Sequence, residues 1–160
     1  MDTLIICIGN ALAADDGAGA DVFEELKRAG LPEGARLCFL GLGGLDLLDE
    51  LAGEDQLIVV DAVQLGGPVG TVHVLDWHAI PVMGPRPVSG HGIGVREAIE
   101  VGRRLYPERV PGHIVLVGIE GAVFDQLGIP LSDEVRQAVP RAVNTIIKLV
   151  SNSAGDEDQS

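Results

Sequence analysis

A chain of 160 residues with 46% hydrophobic residues, 3% aromatics and a formal charge of −13 is one acidic globular domain with an aliphatic core. The charge argues against a nucleic-acid partner, because phosphate contacts need clustered Lys and Arg, and Lys27-Arg28 and Arg103-Arg104 are short spots. No apolar run approaches the ~18 residues of a membrane span, and no basic segment precedes the short apolar run at the N-terminus.

The run Leu4-Ile5-Ile6-Cys7-Ile8 predicts a buried first strand over 3–8. Ile8-Gly9-Asn10-Ala11-Leu12-Ala13-Ala14-Asp15-Asp16-Gly17-Ala18-Gly19 follows, and it sets two adjacent carboxylates near that strand's end. Val22, Phe23, Leu26 and Ala29 give the next segment one apolar helical face. Residues 36–40 read as a second strand, 44–52 as a short helix through Leu45, Leu48 and Leu51, and 56–61 as a strong strand ending in Asp61. Thr71-Val72-His73-Val74-Leu75 alternates and comes soon after Gly66-Gly67-Pro68, which predicts an antiparallel edge strand.

An irregular connection is expected over 77–89, with Pro81, Pro85 and Pro87. His91 opens a helix whose face is Val95, Ala98, Ile99, Gly102 and Leu105, stopped before Pro107. A strand over 113–119 precedes the last helix, with an apolar face from Val135 to Val150. Ser132 stands near its start, and Pro140 within it predicts a kink or a late start. The strands are β-branched and nearly continuous in hydrophobicity, so the expected fold class is α/β. It is a single three-layer α/β/α domain over 1–150, with a mostly parallel twisted sheet and an antiparallel edge strand. The polar segment 151–160 reads as a disordered acidic tail. Cys7 and Cys38 lie in apolar runs, which fits buried thiols in a reducing, cytoplasmic setting. A monomer is expected.

Three residues share one address. The carboxyl ends of parallel strands lie on one edge, so Asp16 and Asp61 approach each other there, and His91 closes the group from the loop above. Two carboxylates and one imidazole form a metal-ligand set with open positions, the mark of a reactive site. Asp61 and His91 are expected at a solvent-facing edge. Each residue also has a plainer reading: Asp15 or Asp16 as a cap on the following helix, Asp61 as a turn residue. His73 and His113 read as surface or boundary residues.

Other chemistries lack their signatures. No Gly-x-Ser-x-Gly elbow exists, and neither cysteine lies where a helix N-terminus would activate it. The glycines of 9–19 and 41–44 do not spell a dinucleotide turn, so no nucleotide cofactor is expected.

Together these motifs resemble the maturation endopeptidases of nickel–iron hydrogenases. The resemblance rests on Gly9-Asn10-x-Leu12-x-x-Asp15-Asp16-Gly17-x-Gly19, Ile58-Val59-Val60-Asp61-Ala62-Val63, Gly70-Thr71-Val72, Ser89-Gly90-His91-Gly92-Ile93-Gly94 and Leu116-Val117-Gly118-Ile119-Glu120, in order across about residues 3–150. It implies removal of a short C-terminal extension from the hydrogenase large-subunit precursor after nickel insertion. It also implies that Asp16, Asp61 and His91 recognise a nickel supplied by that substrate, with no permanently bound metal, and that Asp16 or Asp61 takes the catalytic role. Many relatives carry an Asp-Gly-Gly-Thr-like turn after the second strand, where this chain reads Phe39-Leu40-Gly41-Leu42-Gly43-Gly44. That departure bears on which large subunit is recognised. Two rival readings are a nickel checkpoint that binds the precursor without cutting it, and a generic metallopeptidase, which needs more ligands than these three.

Overall fold

The computed structural model describes residues 1–10, 12–41, 46–79, 92–124 and 126–155. Strands β1 (Thr3–Ile8), β3 (Gln56–Val63) and β5 (His113–Glu120) are aliphatic, and almost every position in them is buried. Strands with no solvent face belong in the middle of a covered sheet. The partly buried β2 (Ala35–Leu40) and β4 (Val72–Asp76) form its edges, giving the order β2-β1-β3-β5-β4. Neighbours run parallel except β4 against β5, which is antiparallel. Thr3 pairs with both Ala35 and Gln56, and Gln56 pairs with His113, so four strands start together and end along one edge.

Helices α1 (Ala18–Ala29) and α4 (Asp133–Gly155) cover one face, where Ile5, Val60 and Val117 pack with Leu26, Val139 and Ile146. Helices α2 (Asp46–Glu50) and α3 (Gly92–Leu105) cover the other, packing Leu47, Ala98 and Ile99 on Leu4, Ile6 and Val59. Each fully buried aliphatic side chain of this kind contributes about 1.5–3 kcal/mol. Burial on both faces therefore dominates the fold, and the result is the expected α/β/α sandwich. Cys7 and Cys38 are free thiols on opposite faces of the sheet. Among the described residues, no helix is long and apolar enough to cross a membrane.

Several boundaries differ from those read in the sequence. β3 runs two residues past Asp61. The expected connection over 77–89 begins as a single 3-10 turn, Trp77–Ala79, and its remainder lies outside the described residues. Pro140 neither delays nor ends α4, which starts at Asp133. It sits on the exposed side while Ala138, Val139, Ala142 and Val143 stay buried, so packing outweighs the lost backbone hydrogen bond. The disorder expected from 151 onward is corrected for 151–155, which are helical. The Ser151 hydroxyl donates to the Ile147 carbonyl, and Ser153 Oγ lies 3.1 Å from Gln56 Oε1. The rest of the expected tail, 156–160, lies outside the described residues.

Candidate functional site

Beyond β1 the chain turns back sharply. The Asn10 N–H donates to the Asp16 carbonyl at 3.0 Å, the Ala13 N–H to the Asn10 carbonyl at 3.1 Å, and the Leu12 N–H to Asn10 Oδ1 at 3.0 Å. Two glycines permit this closure. A Cβ on Gly9 would overlap the Asp16 carbonyl oxygen, and one on Gly19 would overlap the Ile8 carbonyl oxygen. Ala14 sits at φ 49, a left-handed conformation unusual for a residue with a side chain. Its N–H donates to the Ile129 carbonyl at 3.0 Å, which anchors the strained residue.

The 3-10 turn Ala14–Gly17 carries both adjacent carboxylates and packs against β3. β1 has β2 on one side and β3 on the other, so the strand order switches direction between β1 and β3. In open α/β sheets the crevice at such a switch, outside the carboxyl ends, is the usual ligand site. Asp16 stands just past β1, and Asp61 is the sixth residue of β3. The fold therefore brings both to the switch point.

Both are buried, with exposures of 4% for Asp16 and 3% for Asp61. This corrects the expectation of a solvent-facing Asp61. β3 continues beyond it, and Asp61 pairs in register with Gly118 of β5. Its Oδ1 accepts the Ala62 N–H at 2.8 Å. Val59 and Val63 pack in the layer under α2 and α3, so strand alternation turns Asp61 toward the same layer. α3 begins there at Gly92; His91, the residue before it, lies outside the described residues. Among the described residues, no three His, Cys, Asp or Glu side chains group as a metal-holding set.

Asp15 has a different job from its neighbour. Its Oδ2 accepts the N–H groups of Ala122 and Val123 at 2.8 and 2.9 Å and the Ser132 hydroxyl at 2.7 Å, and Oδ1 accepts the Ser132 N–H at 2.7 Å. Burial alone would raise this carboxyl's pKa. The N–H groups of Val123, Ser132 and Ala122 and the Ser132 hydroxyl outweigh it and hold the pKa below the usual carboxylate range. The capping alternative is thus redirected. α1 has Gly17 at its N-cap with no side-chain cap, while Asp15 serves the segment that opens α4.

Glu120, which the sequence marks only as the last residue of the motif Leu116–Glu120, is a further buried carboxylate. It accepts the Leu65 N–H and the Gly67 N–H and holds the connection from β3 to β4. The residues themselves show only an acid closing an apolar strand, with no sign of its loop partners. His73, expected at the surface or its boundary, is partly buried, with an Nε2 that lies 3.8 Å from Glu120. His113 is exposed at the start of β5, with Nδ1 3.2 Å from Gln56 Nε2. Burial first, then Cys38 and Asp61, push the Cys7 thiol far above its ordinary pKa, which leaves it unsuited as a nucleophile. Phe39, at the end of β2, packs on Phe23 of α1 with ring centroids 5.4 Å apart.

A family model described as hydrogenase maturation protease matches residues 20–149. The chain is 30% identical over 150 residues to the hydrogenase expression/formation protein HupD of Bradyrhizobium diazoefficiens, covering 92% of this chain and 77% of that protein. It is 29% identical over 121 residues to the hydrogenase 2 maturation protease of Escherichia coli, covering 74% and 73%. Among solved structures, the hydrogenase maturating endopeptidase HybD from E. coli superposes with a TM-score of 0.82 at 24% identity, over 96% of this chain and 94% of that one. The [NiFe] hydrogenase maturation protease HybD from Thermococcus kodakarensis gives 0.77 at 27% identity, over 93% and 99%.

Proposed function

The chain belongs to the hydrogenase maturation protease family, and we propose that it removes the C-terminal extension of a nickel–iron hydrogenase large-subunit precursor after nickel insertion. The observation that carries this reading is the placement of Asp16 and Asp61 at the carboxyl ends of two adjacent parallel strands, where the strand order switches. Such a crevice suits a ligand, and two acidic side chains suit a cation rather than an anion.

The nickel enters as cargo of the substrate, with Asp16, Asp61 and His91 as its recognition set. Carboxylate and imidazole are donors that accept nickel. Held by these residues between enzyme and precursor, such an ion would supply Lewis-acid chemistry at the scissile carbonyl or at an attacking water. One of the two aspartates then acts as general base. Asp15 is committed to four hydrogen bonds and serves instead to position the turn that carries Asp16. The free thiols, with Cys7 buried, suit a reducing cytoplasm as the place of action.

The test is cleavage of purified precursor with and without nickel, read by the mass of the product. Cleavage of the nickel-loaded form alone is the expected result. Equal cleavage of both removes nickel recognition from the account. A precursor that binds but keeps its C-terminal peptide makes this chain a checkpoint rather than a processing enzyme.

A further inference from the structure

Large apolar side chains exposed among the described residues are few, and three of them converge. Leu12 is 71% exposed, Leu127 74% and Ile129 43%. The Gly128 N–H donates to the Leu12 carbonyl at 2.9 Å and the Ala14 N–H to the Ile129 carbonyl at 3.0 Å, so the loop after β5 is laced to the loop after β1. Of the others, Met1 precedes β1, Val74 lies on the edge strand β4, and Leu105 and Tyr106 stand at the end of α3.

Two features identify what covers this patch. The first is continuity with the site. Ala14 both receives the loop after β5 and opens the turn carrying Asp16, and Asp15 clamps residues 122, 123 and 132 to that same turn. Patch and carboxylates therefore share one rim. The second is charge. In a chain with 24 acidic and 11 basic residues, the exposed Leu12, Leu127 and Ile129 stand in the charge-free runs 9–14 and 126–132; these are flanked by Asp15, Asp125 and Asp133, of which Asp15 is buried on its own hydrogen bonds. A basic partner would find its counter-charges elsewhere, such as Asp21, Glu24 and Glu25 on α1, whereas an uncharged apolar patch selects an uncharged apolar partner.

We propose that Leu12, Leu127 and Ile129 form the docking surface for an apolar, uncharged segment of the large-subunit precursor adjoining the peptide to be cut. The inference rests on the processing function proposed above. Apolar contact here holds the precursor while the carboxylates do the chemistry, so the patch governs binding and not turnover.

The experiment is steady-state cleavage of purified nickel-loaded precursor by wild type and by the double variant Leu12→Ser/Leu127→Ser, with thermal unfolding as a check on the fold. Loss of two central apolar contacts raises KM by about tenfold or more, with kcat within about twofold. The variant Leu12→Met/Leu127→Met, which keeps an apolar surface, retains wild-type KM. If the serine variant has wild-type KM while wild type cleaves normally, the docking surface is overturned and the processing function stands. Wild-type self-association that disappears in the serine variant without change in KM assigns the patch to a second copy, which also overturns the proposal. A wild type that neither binds nor cuts the precursor overturns both readings.

Discussion

Asp15 and Ser132 stand 117 positions apart in the chain and are joined by two hydrogen bonds of 2.7 Å, one from the Ser132 N–H and one from its hydroxyl. With the Ala122 and Val123 N–H groups on the same carboxylate, this fastens the turn after β1 to the segment between β5 and α4. Asp15→Ala leaves those donors without their acceptor and is expected to destabilise the protein by about 3 kcal/mol. Thermal unfolding reads this as a fall of roughly 6–12 °C for a chain of this size. An unchanged midpoint would show that water replaces the carboxylate at no cost.

Acid sensitivity follows from the same carboxylate. Its pKa in the folded protein is depressed, so as pH falls the unfolded chain takes up this proton first. The stabilisation is complete above the unfolded value of about 3.9 and is lost as pH falls through the lower folded value. Asp15→Asn cannot titrate. Wild type is therefore expected to keep a constant stability advantage near neutrality, shrinking only below about pH 4. Urea unfolding midpoints for both proteins across that range provide the check, and a difference independent of pH would contradict it.

For the site residues proposed above, Asp16→Asn, Asp61→Asn and His91→Ala are each expected to lower kcat/KM for precursor cleavage by about 100-fold or more. Asn at 61 keeps the shape and an acceptor for the Ala62 N–H, so the fold should survive. Circular dichroism and thermal unfolding alongside the cleavage assay separate lost chemistry from lost structure. Any of the three variants that processes precursor at the wild-type rate has no part in the reaction.

Gly19→Ala tests how tightly the turn is bound to the strand. The added methyl would overlap the Ile8 carbonyl, which forces α1 away from β1 at an expected cost of about 3 kcal/mol. Gly41→Ala is the control, since a Cβ there meets nothing within 4 Å, and its effect should stay within about 0.5 kcal/mol. Chemical denaturation of the pair decides. Equal stabilities would mean that α1 yields easily.

The sheet was legible because burial on both faces leaves little choice of residue: Leu4–Ile8, Leu57–Val60 and Ile114–Val117 read as strands from composition alone. Their ends were less so, since the continuation of β3 beyond Asp61 depends on its pairing with Gly118, Ile119 and Glu120 of β5. α4 was legible from its apolar face, but not the late start that Pro140 suggested, because the packing of Ala138 and Val139 carries the helix from Asp133 through the proline. Asp16 and Asp61 were placed at one edge by topology, a rule that needs only strand direction. Sequence left Asp15 as one of two candidate caps; its actual partners lie more than a hundred residues away, and no local motif names them.

α4 leaves the Ser132 clamp beside the carboxylate pair and, 23 residues or ~35 Å later, ends with Ser153 against Gln56 at the first residue of β3. It works as a tie-rod between opposite rims of the sandwich. Shortening the chain ahead of Ser153 would slacken the far anchor, and the loosening would be transmitted along a single rigid rod to the turn that carries Asp16.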